Sequence, residues 1–350
     1  MNQERFRDNS IRVARRRVVS RTSRRGFTLV ELLMVIVVIG VLSSLLIVAS
    51  MSVLGTSREA ATKATLSKIN TMLKERMSAF ENYLANQYRS ENHLSSSFIN
   101  ELPVGLGALL DVPNNERLRK IVYRKWEFQK YFPQNWQEAK RLIHSSDPSV
   151  TVPDSETSST TPAAKAESAE VLYYVLTETG IVNQGEIGKD AFLARELADT
   201  DGDGRKEIVD GWGNPLWIYR WPCRLIKPTP MSAPWSDPSD PELAAARTQI
   251  SALTTNTGDK AINSDPDDPF DQISVDSSFV TEFLKNFHIP KAYHSILVVS
   301  AGVDGAFGLE SPVDFDLMDN SVDTIQGRVV NVAELYDNLT NLNALAGGSQ

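Results

Sequence analysis

Two sets of residues in this chain could do chemistry. The first is a lone carboxylate, Glu31, at the head of an apolar run; from Leu32 to Ala49 there is no charge and no proline. An ionised side chain in hydrocarbon costs roughly 2.5–3.5 kcal/mol at the bilayer centre, so Glu31 calls for a cationic partner. The second set is Asp199-Thr200-Asp201-Gly202-Asp203-Gly204-Arg205-Lys206-Glu207-Ile208-Val209-Asp210. Asp199, Asp201, Asp203, Glu207 and Asp210 stand where a twelve-residue calcium loop places oxygen ligands, with Gly204 at its turn and the Arg205 carbonyl next in line. The last ligand is Asp, whose reach is shorter than that of the usual Glu. Lys206 stands where a helix–loop–helix hand buries an apolar residue, and the Gly-Trp-Gly-Asn-Pro that follows forbids a second helix. Two readings stand: a single calcium loop with no paired hand, or a solvated Asp/Gly turn.

The elements around Glu31 are membrane-like. About 20 apolar residues span a hydrocarbon core, so about 29–50 is expected to form a transmembrane helix. Ahead of it lie nine arginines against only Glu4 and Asp8, a net charge of about +7. Positive flanks stay cytoplasmic, which places everything after about residue 50 outside. A secretory signal peptide would have a shorter apolar region followed by a cleavage site. A twin-arginine export signal fits Ser23-Arg24-Arg25-Gly26-Phe27-Thr28-Leu29 but gives Glu31 no role.

A third reading comes from Arg24-Arg25-Gly26-Phe27-Thr28-Leu29-Val30-Glu31 and the apolar run behind it. These residues resemble the prepilin signature of type IV pilins and type II secretion pseudopilins. The resemblance implies that a prepilin peptidase cuts after Gly26 and methylates Phe27, and that Glu31 is the glutamate used in assembly. The chemistry is coherent. Cleavage creates an α-amino group with a pKa near 8, mostly cationic at neutral pH. Pairing that amine with Glu31 in low dielectric offsets the desolvation of both ions. The resemblance implies that the pair forms between stacked subunits and sets axial register.

Beyond the run, Leu66, Ile69, Leu73, Met77, Phe80 and Leu84 recur at helical spacing, and no proline occurs before Pro103. One apolar helical face is predicted. A helix over 27–91 would be on the order of 95 Å long at 1.5 Å per residue, with Gly40 and Gly55 as bend points. The remainder, 92–350, is long enough for a substantial core. Helices are predicted over 116–126 and onward to Pro133, over 137–144, and over 169–179. Strands are predicted at Leu216–Tyr219 and Ser295–Ser300, and a last helix over 332–343. Two stretches, about 145–168 and 227–272, are too poor in apolar patterning to fold and read as insertions.

The formal net charge is −8, and removing residues 1–26 leaves about −15. An acidic head argues against a nucleic-acid partner. Cys223 is the only cysteine, so no disulfide closes within the chain. The four histidines have no metal-ligand spacing, and neither a phosphate-cradling loop nor a nucleophile motif occurs; no enzyme is expected.

Two further segments extend the resemblance. Asp210-Gly211-Trp212-Gly213-Asn214-Pro215 resembles the turn that leads into a sheet strand of major pseudopilins, and Ser300-Ala301-Gly302-Val303-Asp304-Gly305-Ala306-Phe307-Gly308 resembles a loop near their C-terminus. The latter would carry a second calcium site onto Asp304, Asp314, Asp316 and Asp319. The implied fold is α+β and pilin-like: a long N-terminal transmembrane and amphipathic helix packed on a small antiparallel sheet with large loop insertions. The implied layout is a basic leader, 1–26, the long helix, 27–91, and a periplasmic or extracellular head, 92–350. The implied function is a structural subunit of a type II secretion pseudopilus or type IV pilus-like filament, in the bacterial inner membrane as a single pass. Its partners would be itself, sister pseudopilins, the prepilin peptidase and an inner-membrane assembly platform. Alternatives are a minor tip subunit that touches exported substrate or a surface, and a membrane-tethered or twin-arginine-exported protein with a binding or hydrolytic activity.

Overall fold

A computed structural model describes residues 28–111, 115–154, 161–181, 189–222, 265–288, 295–312, 327 and 331–342, without the side chains of 46–53, 146 and 332. The leader, Gly26 and Phe27 lie outside the described residues, as do Asp314, Asp316, Asp319, Cys223 and most of 227–272. The chain divides into two compact units, Met1–Val53 and Leu54–Gln350.

The first helix, α1 (Leu29–Arg89), belongs to both units. In the first unit its large apolar side chains stand exposed from Leu29 to Leu45, the least exposed being Val35 at 47%. Among the described residues no helix is long and apolar enough to cross a membrane, and the apolar side chains described there stop at Leu45. In the second unit α1 buries one stripe: Leu66, Ile69, Leu73, Phe80 and Leu84 are in the core, with Met77 packed against it. The predicted face is therefore the buried face. Phe80 is its centre, with ring centroids 5.5 Å from Phe128 and 5.9 Å from Phe132, both edge-on.

Short helices α2 (Ser96–Glu101) and α3 (Val104–Leu110) follow, the first capped by Ser95 Oγ accepting from Phe98 N–H. Helix α4 (Glu116–Tyr131) lays Ile121, Val122 and Phe128 into the same core and stops before Pro133. Asn135 caps α5 (Trp136–Ser146) by accepting from Glu138 N–H. The next helix, α6 (Pro162–Thr177), begins seven residues earlier than predicted, inside the stretch read as an insertion. Thr161 accepts from Ala164 N–H and Pro162 fills the first turn, a standard start. Ala164, Ala166 and Ser168 are buried, so small residues carry packing that an apolar count discounts.

The strands are few and short. β1 (Leu197–Ala198) and β2 (Glu207–Ile208) pair antiparallel, Leu197 opposite Ile208. β3 (Trp217–Tyr219), β4 (Leu297–Ser300) and β5 (Leu339–Thr340) form a three-stranded antiparallel sheet in that order. Tyr219 faces Leu297 in register, and Val299 faces Thr340. Ile218, Val298 and Leu339 share one hydrophobic cluster with the α1 stripe, so helix and sheet bury a common core. The class is α+β, as predicted. Helix α7 (Ser277–Asn286), whose Phe279 and Phe283 are core residues, had no counterpart in the sequence reading.

The expected last helix is a correction. Val332–Leu335 forms one 3-10 turn, and Leu339–Thr340 is strand. Asn341 is the reason: its N–H and Oδ1 bind the Val298 carbonyl and N–H, and its Nδ2 donates to Ile296 O. A side chain that completes a sheet edge outcompetes the helix.

Two buried cations brace this core. Arg220 is pinned to Glu138 by two bonds of 2.6 and 2.7 Å and also donates to Phe132 O. Arg76 on α1 donates to the carbonyls of Tyr131, Val175 and Thr179. Burial pulls its guanidinium down to about 10.

Candidate assembly segment and candidate metal centre

Glu31 occupies the third position of α1 and closes a capping box with Thr28. Thr28 N–H and Oγ donate to Glu31 Oε2 at 2.9 and 3.0 Å, and Glu31 N–H donates to Thr28 Oγ at 3.2 Å. The reciprocal pattern satisfies two end-of-helix donors. The sequence carries it as Thr-x-x-Glu ahead of an apolar run.

The acidic loop lies between β1 and β2, so strands and not helices flank it. Asp199 builds the turn, accepting from Gly202 N–H at 2.7 Å and Gly204 N–H at 3.1 Å. Gly204 sits at φ +90°, where a side chain would strain the backbone. Asp201 accepts from Asp203 N–H, and Asp203 from Arg205 N–H. Oxygens of Asp201, Asp203 and Glu207 come within 4.8 Å of one another and of Glu170 on α6. Asp199 and Asp210 stand outside that group, so the six-position loop set is brought together only in part. Glu170 was missed because it is about 30 residues upstream; only the packing of α6 on β2 delivers it.

The charge balance of this group is uneven. Arg205 Nε donates to Glu170 Oε2 at 2.6 Å and its guanidinium also pairs with Asp203, while Trp136 Nε1 donates to Glu170 Oε2 at 2.8 Å. Burial pushes the Glu207 carboxyl up to about 7, opposed by the Thr200 N–H bond of 2.7 Å. Burial also raises Glu170, against Arg205 and Trp136.

Asp210 does different work. Its Oδ1 accepts from Trp212 N–H and Asn214 N–H at 2.8 and 2.9 Å, and its Oδ2 accepts from Ser300 Oγ at 2.7 Å. Asn214 Nδ2 donates to Gly302 O at 3.1 Å. The Asp-Gly-Trp-Gly-Asn-Pro turn and the Ser300–Gly308 loop are thereby one hydrogen-bonded seam. Gly211 N–H in turn takes Thr62 Oγ of α1 as acceptor, and a Cβ there would collide with the Arg58 backbone. Trp217 stacks on Phe307 at 3.7 Å. Asp304 accepts from Ala306 N–H at 2.8 Å, and Asp337 binds the N–H groups of Val303 and Asp304. Among the described residues Asp304 belongs to no group of three candidate ligands.

Against known proteins, residues 21–47 match the prokaryotic N-terminal methylation motif. The chain carries the signature of type IV pilins and pseudopilins, a signature that goes with prepilin-peptidase processing, membrane anchoring and filament assembly in general. No curated protein and no solved structure matches the chain.

Proposed function

We propose that this chain is a structural subunit, not an enzyme, of a type II secretion pseudopilus or type IV pilus-like filament, held in the bacterial inner membrane by residues about 29–50 until assembly. The observation that carries this reading is the methylation motif over residues 21–47 with Glu31 inside it. Cleavage after Gly26 yields a Phe27 amine, cationic at neutral pH. In the subunit, Glu31 is satisfied by Thr28. On stacking, the amine of a neighbouring copy replaces those neutral donors, and a charged pair in low dielectric is the stronger one. An unpaired Glu31 in hydrocarbon is disfavoured, so only one axial register is stable. The acidic head faces outward, with sister subunits, the peptidase and an inner-membrane platform as partners.

Mass analysis of the N-terminus of the membrane-extracted protein tests processing: the expected start is N-methyl-Phe27, and an intact leader or a cut beyond Ala49 rejects the reading. Glu31→Ala tests assembly. Incorporation into filaments is expected to fall by at least about tenfold, the equivalent of 1.4 kcal/mol, with processing intact; wild-type incorporation would overturn the register argument.

A further inference from the structure

The acidic group behind the β1–β2 hairpin has a use that filament assembly does not require. We infer that Glu170, Asp201, Asp203 and Glu207 bind one divalent cation of the calcium class, and that the ion staples the hairpin loop to α6. Clustered carboxylates alone would not carry this. The deciding observation is that Glu207 is fully buried, at 0% exposure, and its Oε1 has no hydrogen-bond partner. Asp201 Oδ2 is likewise shielded from solvent and unpartnered. A buried carboxylate oxygen without a donor is a large penalty that proteins avoid unless something binds there.

The geometry suits one ion. Two oxygens that each lie about 2.4 Å from a calcium are at most about 4.8 Å apart. One oxygen from each of the four residues meets that limit against the other three. A ligand set of carboxylate oxygens alone favours calcium over magnesium, which keeps several waters and demands tighter octahedral geometry. Arg205 is the built-in competitor. Its guanidinium neutralises part of the group through Glu170 and Asp203, but its side chain is 40% exposed and can swing into solvent when a dication arrives. The site differs from the twelve-residue loop geometry: Glu170 enters from a helix, while Asp199 and Asp210 remain turn builders.

The test uses the full-length chain in detergent, titrated with terbium(III) as the calcium probe under tryptophan excitation. Trp136, hydrogen-bonded to Glu170, serves as the antenna. Saturable emission that calcium displaces is expected. Apparent affinity should weaken at least about tenfold in Glu170→Gln, and likewise in Asp203→Asn, whose half-exposed side chain can be changed without disturbing the core. Arg205→Ala should tighten binding, and Asp304→Asn should leave it unchanged. Absence of saturable emission would overturn the assignment. So would parent-like titration of both Glu170→Gln and Asp203→Asn, or a loss confined to Asp304→Asn. If Arg205 alone balances the group, Arg205→Ala lowers thermal stability without tightening terbium, which also rejects the site.

Discussion

The two halves of α1 differ in composition, the first almost wholly aliphatic and the second mixing aliphatic with charged and polar residues, and they meet opposite fates. Apart from Glu31, Ser43 and Ser44, Leu29 to Leu45 is apolar on every face, and it is exposed all round. From Leu54 onward, Lys63, Lys68, Lys74, Glu75 and Glu81 interrupt the pattern and leave one stripe, which is buried. A helix that is hydrophobic all round is made for an apolar surround, whereas an amphipathic one is made for a core beside water. The contrast teaches that one helix can carry two surface patterns, and that the sequence marks the change by where charges resume.

The comparison can be broken in the buried half first. Phe80→Ala should cost about 3–5 kcal/mol of head stability, because four aromatic rings surround the void it leaves. Urea unfolding measures this, and a loss under about 1 kcal/mol would mean the stripe is not the core. Arg220→Leu should cost a similar amount, about 3–5 kcal/mol, by stranding Glu138 inside the protein. The double variant with Glu138→Leu should recover much of it.

In the exposed half, Val38→Lys should move head stability by less than about 0.5 kcal/mol. It should nevertheless add about 3 kcal/mol to membrane insertion, read as loss from carbonate-washed membranes. Equal effects on both readouts would erase the distinction between the halves. The smallest effect concerns His93, whose ring packs edge-on to Tyr88 near the end of α1 with both nitrogens free of hydrogen bonds. Burial, helped by Lys120, holds its pKa below the ordinary histidine value. The folded state therefore resists a proton that the unfolded chain accepts. The stabilisation is full above the ordinary histidine range and is lost as pH falls through it. His93→Gln should flatten that part of the stability–pH curve, and an unchanged slope would assign it elsewhere.

Much of the fold was written in periodicity. The α1 stripe, α4, α5 and strands β3 and β4 appear within a few residues of where spacing puts them. The start of α6 was missed because alanine and serine pack well without registering as apolar. The last helix failed because Asn341 bonds to strand β4, a partner more than 40 residues away. At the candidate metal centre, Asp201, Asp203 and Glu207 could be named from spacing. Glu170 could not, because its place there is set by tertiary packing. Asp199 and Asp210 looked like ligands because turn-building and metal-binding draw on the same residue, a short side chain with two acceptors.

The seam between Asp210 and Ser300 bears on chain length. It ties together two points 90 residues apart in the chain, and β3 and β4 pair directly beside it. With both ends of the intervening tract anchored, doubling its length would cost only about 0.6 kcal/mol of closure entropy. Such a clasp lets the stretch between β3 and the core residues of α7 change in length at little entropic cost while the sheet stays joined.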